Sequence, residues 1–322
     1  MPGWGEILQE INALPRAPGG AADTDTVRRK YLASLHQLTG RSIIIYYSNW
    51  LYNSNQQTAI LLDDMQAMME VCRGVPADGL DIIIHSPGGS PEATARIVDY
   101  LRQKFTHIRI FVPLAAMSAA TMWCFAADEL VMGKHSQLGP IDPQMVTGSG
   151  FCPARAIKKQ FADALKDCAA NPSHVAAWMP ILAQYGPALL SQCATAESLT
   201  KQLAVDWLEK FFFKDDPQAA EKAKKVTEYF ADADLHFSHA KGIDIDEAKT
   251  AGLDRIKRLE ENQQLQDAVL SVHHATLHSF MNPAVLKIVE NHLGRAFVRI
   301  GQPTMIPMIQ QPIQIPIQFP PN

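Results

Sequence analysis

Two short turns, Ser86-Pro87-Gly88-Gly89-Ser90 and Ala116-Met117-Ser118-Ala119-Ala120, each follow an apolar run and each open a helical pattern. Their residue types suit a serine nucleophile facing a backbone oxyanion site. Leu80-Asp81-Ile82-Ile83-Ile84 reads as a buried strand; Ser90 can cap the helix after it, Pro91 suits that helix's first turn, and Ala93, Ile97 and Leu101 share one helical face. Ile108-Arg109-Ile110-Phe111-Val112 reads as the second strand, and Ser118 begins an alanine-rich segment that runs to Ala127. A serine at that junction has backbone N–H groups and a positive helix end beside it, where charge on a substrate oxygen is stabilised. Glycine at 88 and 89 lets backbone approach without a Cβ in the way. Serine is also a favoured N-cap, whose hydroxyl accepts from the helix's first turn, so Ser118 has a purely structural reading as well.

The stretch from Asp81 to Gln144 resembles the serine dehydrogenase proteinase family, within the larger group of Clp-peptidase, signal-peptide-peptidase and crotonase-like proteins. The resemblance is carried by His85-Ser86-Pro87-Gly88-Gly89-Ser90-Pro91-Glu92-Ala93, by Ala116-Met117-Ser118-Ala119, and by the run from Met132 to Gln144 that contains Gly139-Pro140-Ile141-Asp142-Pro143. It extends from about Arg41 to Leu259. It implies an α/β fold, a Clp/crotonase-like spiral of ββα units with added helical segments. It implies Ser118 as nucleophile and the backbone N–H groups of Gly89 and Ala119 as oxyanion donors, with Gly88 shaping the turn. Crotonase relatives use the same backbone site on acyl thioesters without a serine nucleophile, so the resemblance is firmer for the fold than for the reaction.

A serine hydroxyl needs a base within hydrogen-bond reach. Where Clp-type peptidases carry a histidine, this chain reads Pro140-Ile141-Asp142-Pro143; where signal-peptide-peptidase relatives carry a lysine, the match falls on Ala156, with Lys158 and Lys159 nearby. Neither standard dyad transfers. His135 and His239 remain, with Asp142 as an orienting carboxylate, and they are preferred over Lys159 because imidazole titrates near neutrality whereas lysine must first be desolvated. His85 reads as a histidine that satisfies loop backbone. Gly133-Lys134-His135-Ser136 lacks the upstream glycine of a phosphate-binding loop, and no G-x-S-x-G elbow surrounds Ser118.

The positioning elements follow from pattern. The 322 residues suffice for a substantial core, and a formal net charge of -4 gives no basic footprint for nucleic acid. Residues 1–40 read as an N-terminal arm with two helical pieces, 41–259 as the peptidase domain with a helical insertion at 153–213, 260–301 as C-terminal helices, and 302–322 as an extended Pro/Gln/Ile-rich tail. Thr58 to Cys72 is expected to be one helix. Five scattered cysteines without a C-x-x-C pair indicate neither a disulfide framework nor a zinc site. With no signal-peptide pattern and no apolar run of membrane-spanning length, a cytoplasmic location is expected.

The expected function is a soluble serine peptidase acting on a peptide or protein through a Ser118 acyl-enzyme, ATP-independent by itself, without cofactor or metal. The resemblance implies a homo-oligomeric ring. Two alternatives stay open: a crotonase-like acyl-thioester hydrolase or isomerase, and an inactive oligomeric scaffold.

Overall fold

The computed structural model describes residues 2–16, 20, 22–148 and 150–301, so the tail at 302–322 lies outside the described residues. After α1 (Trp4–Ala13) and α2 (Thr24–Thr39) the chain alternates strand and helix: β1 (Ser42–Ser48), α3 (Asp64–Val71), β2 (Gly79–His85), α4 (Pro91–Lys104), β3 (His107–Val112), a two-residue β4 (Ala115–Ala116), α5 (Ala119–Phe125), β5 (Glu129–Met132) and β6 (Gln137–Leu138). The hairpin of β7 (Gln144–Thr147) and β8 (Gly150–Pro153) leads into α6 (Ala154–Ala170), α7 (Val175–Leu182), α8 (Leu189–Trp207), α9 (Ala219–Phe230) and α10 (Ala233–His236). Then come α11 (Ile245–Ala251), β9 (Lys257–Arg258), α12 (Gln263–Ser279), β10 (Val285–Asn291) and β11 (Ala296–Ile300).

The main sheet has the order β11-β10-β1-β2-β3-β5-β9. Its five strands from β1 to β9 run parallel, while β10 is antiparallel to β1 and β11 to β10. Parallel strands covered on both faces must be apolar nearly throughout, which explains the β-branched runs of β1 and β2. One face packs on α3, α4 and α5 together with residues of α8, α9 and α11. The other packs on α2 and α12, and α1 lies against α12 and α2.

A second, smaller layer runs beside the strand ends. Ser86 bridges Ala116, β4 pairs with β6, and Leu138 bridges Ile243. Each repeat therefore supplies one long strand to the main sheet, one short strand to the small layer, and a helix. This is an α/β fold with a mixed parallel and antiparallel sheet and flanking helices.

Two elements depart from the expectations. The reading of 260–301 as C-terminal helices holds only for α12; residues 285–300 form the β10–β11 hairpin. Val285-Leu286-Lys287-Ile288-Val289 is apolar around one lysine, and β1 offers it a free edge, with Ile44 opposite Asn291 and Ser48 opposite Lys287. Pairing on both edges satisfies the backbone of most of this buried segment, which outweighs any local helical preference. Likewise α3 begins only at Asp64, because Gln56–Thr58 forms a 3-10 turn and Ile60 is extended against Gly89.

Between the sheet and α12 lies a cluster of rings. The Tyr47 hydroxyl is 3.0 Å from His273 Nδ1, and His85 lies against Tyr47, Trp50 and His273. Burial pushes the His85 imidazole down to about 4, against a partial lift from a backbone hydrogen bond at Ala115, and burial also pushes His273 well down, helped by neighbouring imidazoles. These groups bind protons more readily unfolded than folded, so their contribution is present above the ordinary value near 6.5 and is lost as pH falls toward the folded value. For His85 the loss between about pH 6.5 and about pH 4 is on the order of 3 kcal/mol. Carboxylates add to the same slope, so the variant comparison isolates the imidazole: unfolding free energy against pH should rise less steeply in His85→Leu than in the wild type. Equal slopes would refute the assignment.

Candidate active site

The site forms where β2 and β3 end. Ser86 donates its N–H to the Ala115 carbonyl at 3.2 Å and accepts from the Met117 N–H at 3.0 Å, so the two turns are paired before either reaches its helix. Gly88 and Gly89 adopt φ of 90° and 153°, values that favour glycine. A Cβ on Gly88 would lie 2.8 Å from both Ala119 N and Ser118 Cβ, which measures how closely the turns touch. Gly88 donates its N–H to Ser86 Oγ at 3.2 Å, so that N–H is engaged within the turn.

Gly89 is held from its other side. The Ile60 N–H donates to the Gly88 carbonyl at 2.7 Å and the Ser90 N–H donates to the Ile60 carbonyl at 2.9 Å. In this parallel bridge Ile60 occupies the groups flanking Gly89, and the N–H of Gly89 itself points to the opposite edge. Among the described residues neither the Gly89 nor the Ala119 N–H has an acceptor. Ser90 caps α4 by accepting from the Ala93 N–H at 3.0 Å, with Pro91 in the first turn, which fixes the exit of the glycine turn.

Ser118 precedes α5 with φ 53° and ψ −122°, a conformation costly for a residue with a Cβ. Its hydroxyl makes no capping hydrogen bond, so the N-cap role open to it in the sequence is not taken. The turn is held by others. The Thr121 hydroxyl donates to the Ala116 carbonyl at 2.7 Å and accepts from the Gly139 N–H at 3.0 Å, tying α5 to both strands of the small layer.

His239 and Asp142 come together. His239 Nδ1 is 2.8 Å from Asp142 Oδ1. A carboxylate only accepts, so Nδ1 carries a proton, and in the neutral imidazole Nε2 is the nitrogen with the free lone pair. Asp142 is 5% exposed and its second oxygen accepts from Gln144 Nε2 at 2.7 Å. The turn carrying His239 is fixed at both ends: His236 Nε2 donates to the Tyr229 carbonyl at 2.7 Å, and Ile243 pairs with Leu138. Between them Phe237 adopts φ 59°, and Lys241 pairs with Glu247 of α11.

Gly88, Gly89, Ser118 and His239 line one cleft of about 590 Å³. Its apolar wall includes Met122, Ile141, Met145, Phe151 and Leu199. The other candidate bases lie elsewhere. His135 is on an exposed turn after β5, near Glu260, and Lys159 is 71% exposed on α6 beside Asp163; neither lines the cleft. Ala59, Met145, Phe151 and Leu199 escaped the sequence reading because nothing local marks them. Among the described residues no group of His, Cys, Asp and Glu side chains could hold a metal ion, and no helix is long and apolar enough to cross a membrane.

Residues 56–179 match the family described as ClpP-like SDH-type serine proteinase. An uncharacterized protein of Methanocaldococcus jannaschii is 28% identical over 198 residues, covering 61% of this chain and 60% of its own length. A second uncharacterized protein of that organism is 33% identical over 103 residues, covering 32% of this chain and 34% of its own. The chain thus spans less than two thirds of either relative. Two solved structures are similar in part. A serine-to-alanine mutant of a membrane-bound stomatin-specific protease has a TM-score of 0.36 at 12% identity, covering 65% of this chain and 79% of that one. The ClpP protease catalytic domain from Plasmodium falciparum has a TM-score of 0.33 at 14% identity, covering 62% and 80%.

The close approach at Gly89 is directly testable. A Cβ there would overlap the Ile60 backbone at a φ that side chains rarely adopt. Gly89→Ala should cost about 1–3 kcal/mol by urea denaturation. A wild-type midpoint would contradict the bridge.

Proposed function

We propose that the chain is a serine peptidase in which Ser118 forms an acyl-enzyme. The observation that carries this reading is the Ser118 hydroxyl itself, uncommitted to capping, held in a strained conformation, and facing a cleft that His239 shares. Strain of this kind persists only where the surroundings impose it. The Ser118 Oγ attacks the substrate carbonyl carbon while His239 Nε2 takes its proton. Asp142 keeps the proton of Nδ1 in place and stabilises the imidazolium. The N–H groups of Gly89 and Ala119 hold the oxyanion. Collapse breaks the C–N bond as His239 returns the proton to the leaving amine, and water then attacks the ester with His239 again as base, releasing the acid and free Ser118.

His239 with Asp142 is favoured over His135 and Lys159 because only His239 among them lines the Ser118 cleft. The apolar wall supports an extended peptide with apolar side chains as substrate. A ring of identical subunits belongs to the same reading, and exposed Leu165 and Met179 on the helical excursion are residues a subunit contact would cover. Light scattering at micromolar concentration should then give a closed multimer, and a monomer would remove that part.

Reaction with a fluorophosphonate probe tests the nucleophile. Ser118→Ala should abolish labelling and leave the fold intact; labelling that survives refutes the assignment. His239→Gln should slow acylation by about 100- to 10,000-fold, whereas His135→Gln and Lys159→Met should leave it unchanged. Loss of reaction in Lys159→Met alone would make the site a serine–lysine dyad.

A further inference from the structure

Lys287, on the strand that pairs with β1, is fully buried. So is Asp64 at the start of α3. Lys287 Nζ donates to both Asp64 oxygens at 2.8 and 2.6 Å and to the Ala59 carbonyl at 2.7 Å. Asp64 Oδ2 also accepts from the Tyr46 hydroxyl at 2.8 Å and from the Leu61 N–H at 2.9 Å. Arg299 Nη2 lies 2.7 Å from Asp63 and 3.6 Å from Asp64. The ammonium is pulled down by burial and held up by the Asp64 carboxylate, with a net downward shift.

Removing two full charges from water costs several kcal/mol per ion, so a buried pair is weak grounds for stability. Its geometry here does something more specific. Lys287 and Asp64 grip the backbone at Ala59 and Leu61, the two residues flanking Ile60. Ile60 in turn is bonded to Gly88 and Ser90, the two residues flanking Gly89. Two nested clamps therefore run from the buried pair to one amide. Residue 287 is more than 160 positions after Ser118 and outside the segment 56–179.

We propose that Lys287 and Asp64 are positioning residues that aim the Gly89 N–H into the cleft by fixing the extended segment Ala59–Leu61. The inference rests on the reading of Gly89 as an oxyanion donor. It predicts that losing the pair misdirects one donor without unfolding the chain, an effect on the maximal rate rather than on binding.

Lys287→Met alone leaves the buried Asp64 with only Arg299 at 3.6 Å as counter-charge and can fail to fold, so the decisive variant is the double substitution Lys287→Met with Asp64→Leu. Replacing both charges by apolar groups is often neutral or stabilising. The folded double variant should show a maximal fluorophosphonate inactivation rate lower by about 100- to 1,000-fold, the effect of losing one oxyanion donor, with the half-saturating probe concentration nearly unchanged. Amide exchange at Ile60, Leu61 and Ser90 should accelerate by about tenfold or more while global unfolding is unaffected. Wild-type exchange at Ile60 and Ser90 would overturn the positioning role, and so would faster exchange with an unchanged maximal rate. If the wild type itself does not react, the peptidase reading falls separately, and exchange at those amides still decides whether the pair holds the segment.

Discussion

Contact between two turns without a side chain between them is the constraint on which the rest of the structure depends. Gly88 lies so near Ser118 and Ala119 that a Cβ would intrude on both, and Gly89 is pressed as tightly against Ile60. Such an approach requires the ends of β2 and β3 to be side by side, which their parallel pairing provides. It also requires each strand to continue a few residues beyond the main sheet, which the small layer through Ser86, β4, β6 and Ile243 accomplishes. The helices that follow are then launched from fixed points. A parallel sheet places its loops at the carboxyl ends of its strands, and the cleft occupies that edge.

Two buried carboxylates are paired away from this edge. Asp81 near the start of β2 is flanked by Arg41 and Arg109, and Glu290 is held by Arg28 and Arg29. These pairs satisfy carboxylates buried in or beside the sheet and leave the cleft wall largely apolar. Within the cleft the polar groups are few, chiefly backbone N–H, the Ser118 hydroxyl and the His239 imidazole, with Glu92, Gln144 and Thr200 also on its lining. A largely apolar wall strengthens the electrostatic interactions beside it, because it lowers the local dielectric.

Much of this was legible from the chain. The two turns, their strands and the capping of α4 are local features, in which a double glycine, a Ser-Pro helix start and β-branched runs have one economical structural meaning. Which candidate base shares the cleft was not, because His239 reaches it from 121 positions beyond Ser118 through a left-handed Phe237 and a bridge at Ile243, neither of which has a sequence signature. By type His135 was as plausible as His239 and Lys159 less so, and only the surroundings separate the two histidines. The β10–β11 hairpin was obscured for a related reason. A lysine and a glutamate inside Val285–Asn291 suggest an exposed face, and the ion pairs that bury both lie more than 220 positions away in the case of Asp64 and more than 260 in the case of Arg28.

The late position of β10 in the sequence bears on how the chain matures. Contacts at such separation form slowly, since the loop must close before the pairing rewards it. A growing polypeptide presents the serine turn long before it can supply the histidine, and supplies the histidine before the strand that tightens the glycine turn. For a protein read as a peptidase this order is protective. On that reading the serine is made before its base, and the base before the strand whose pairing closes the sheet beside β1.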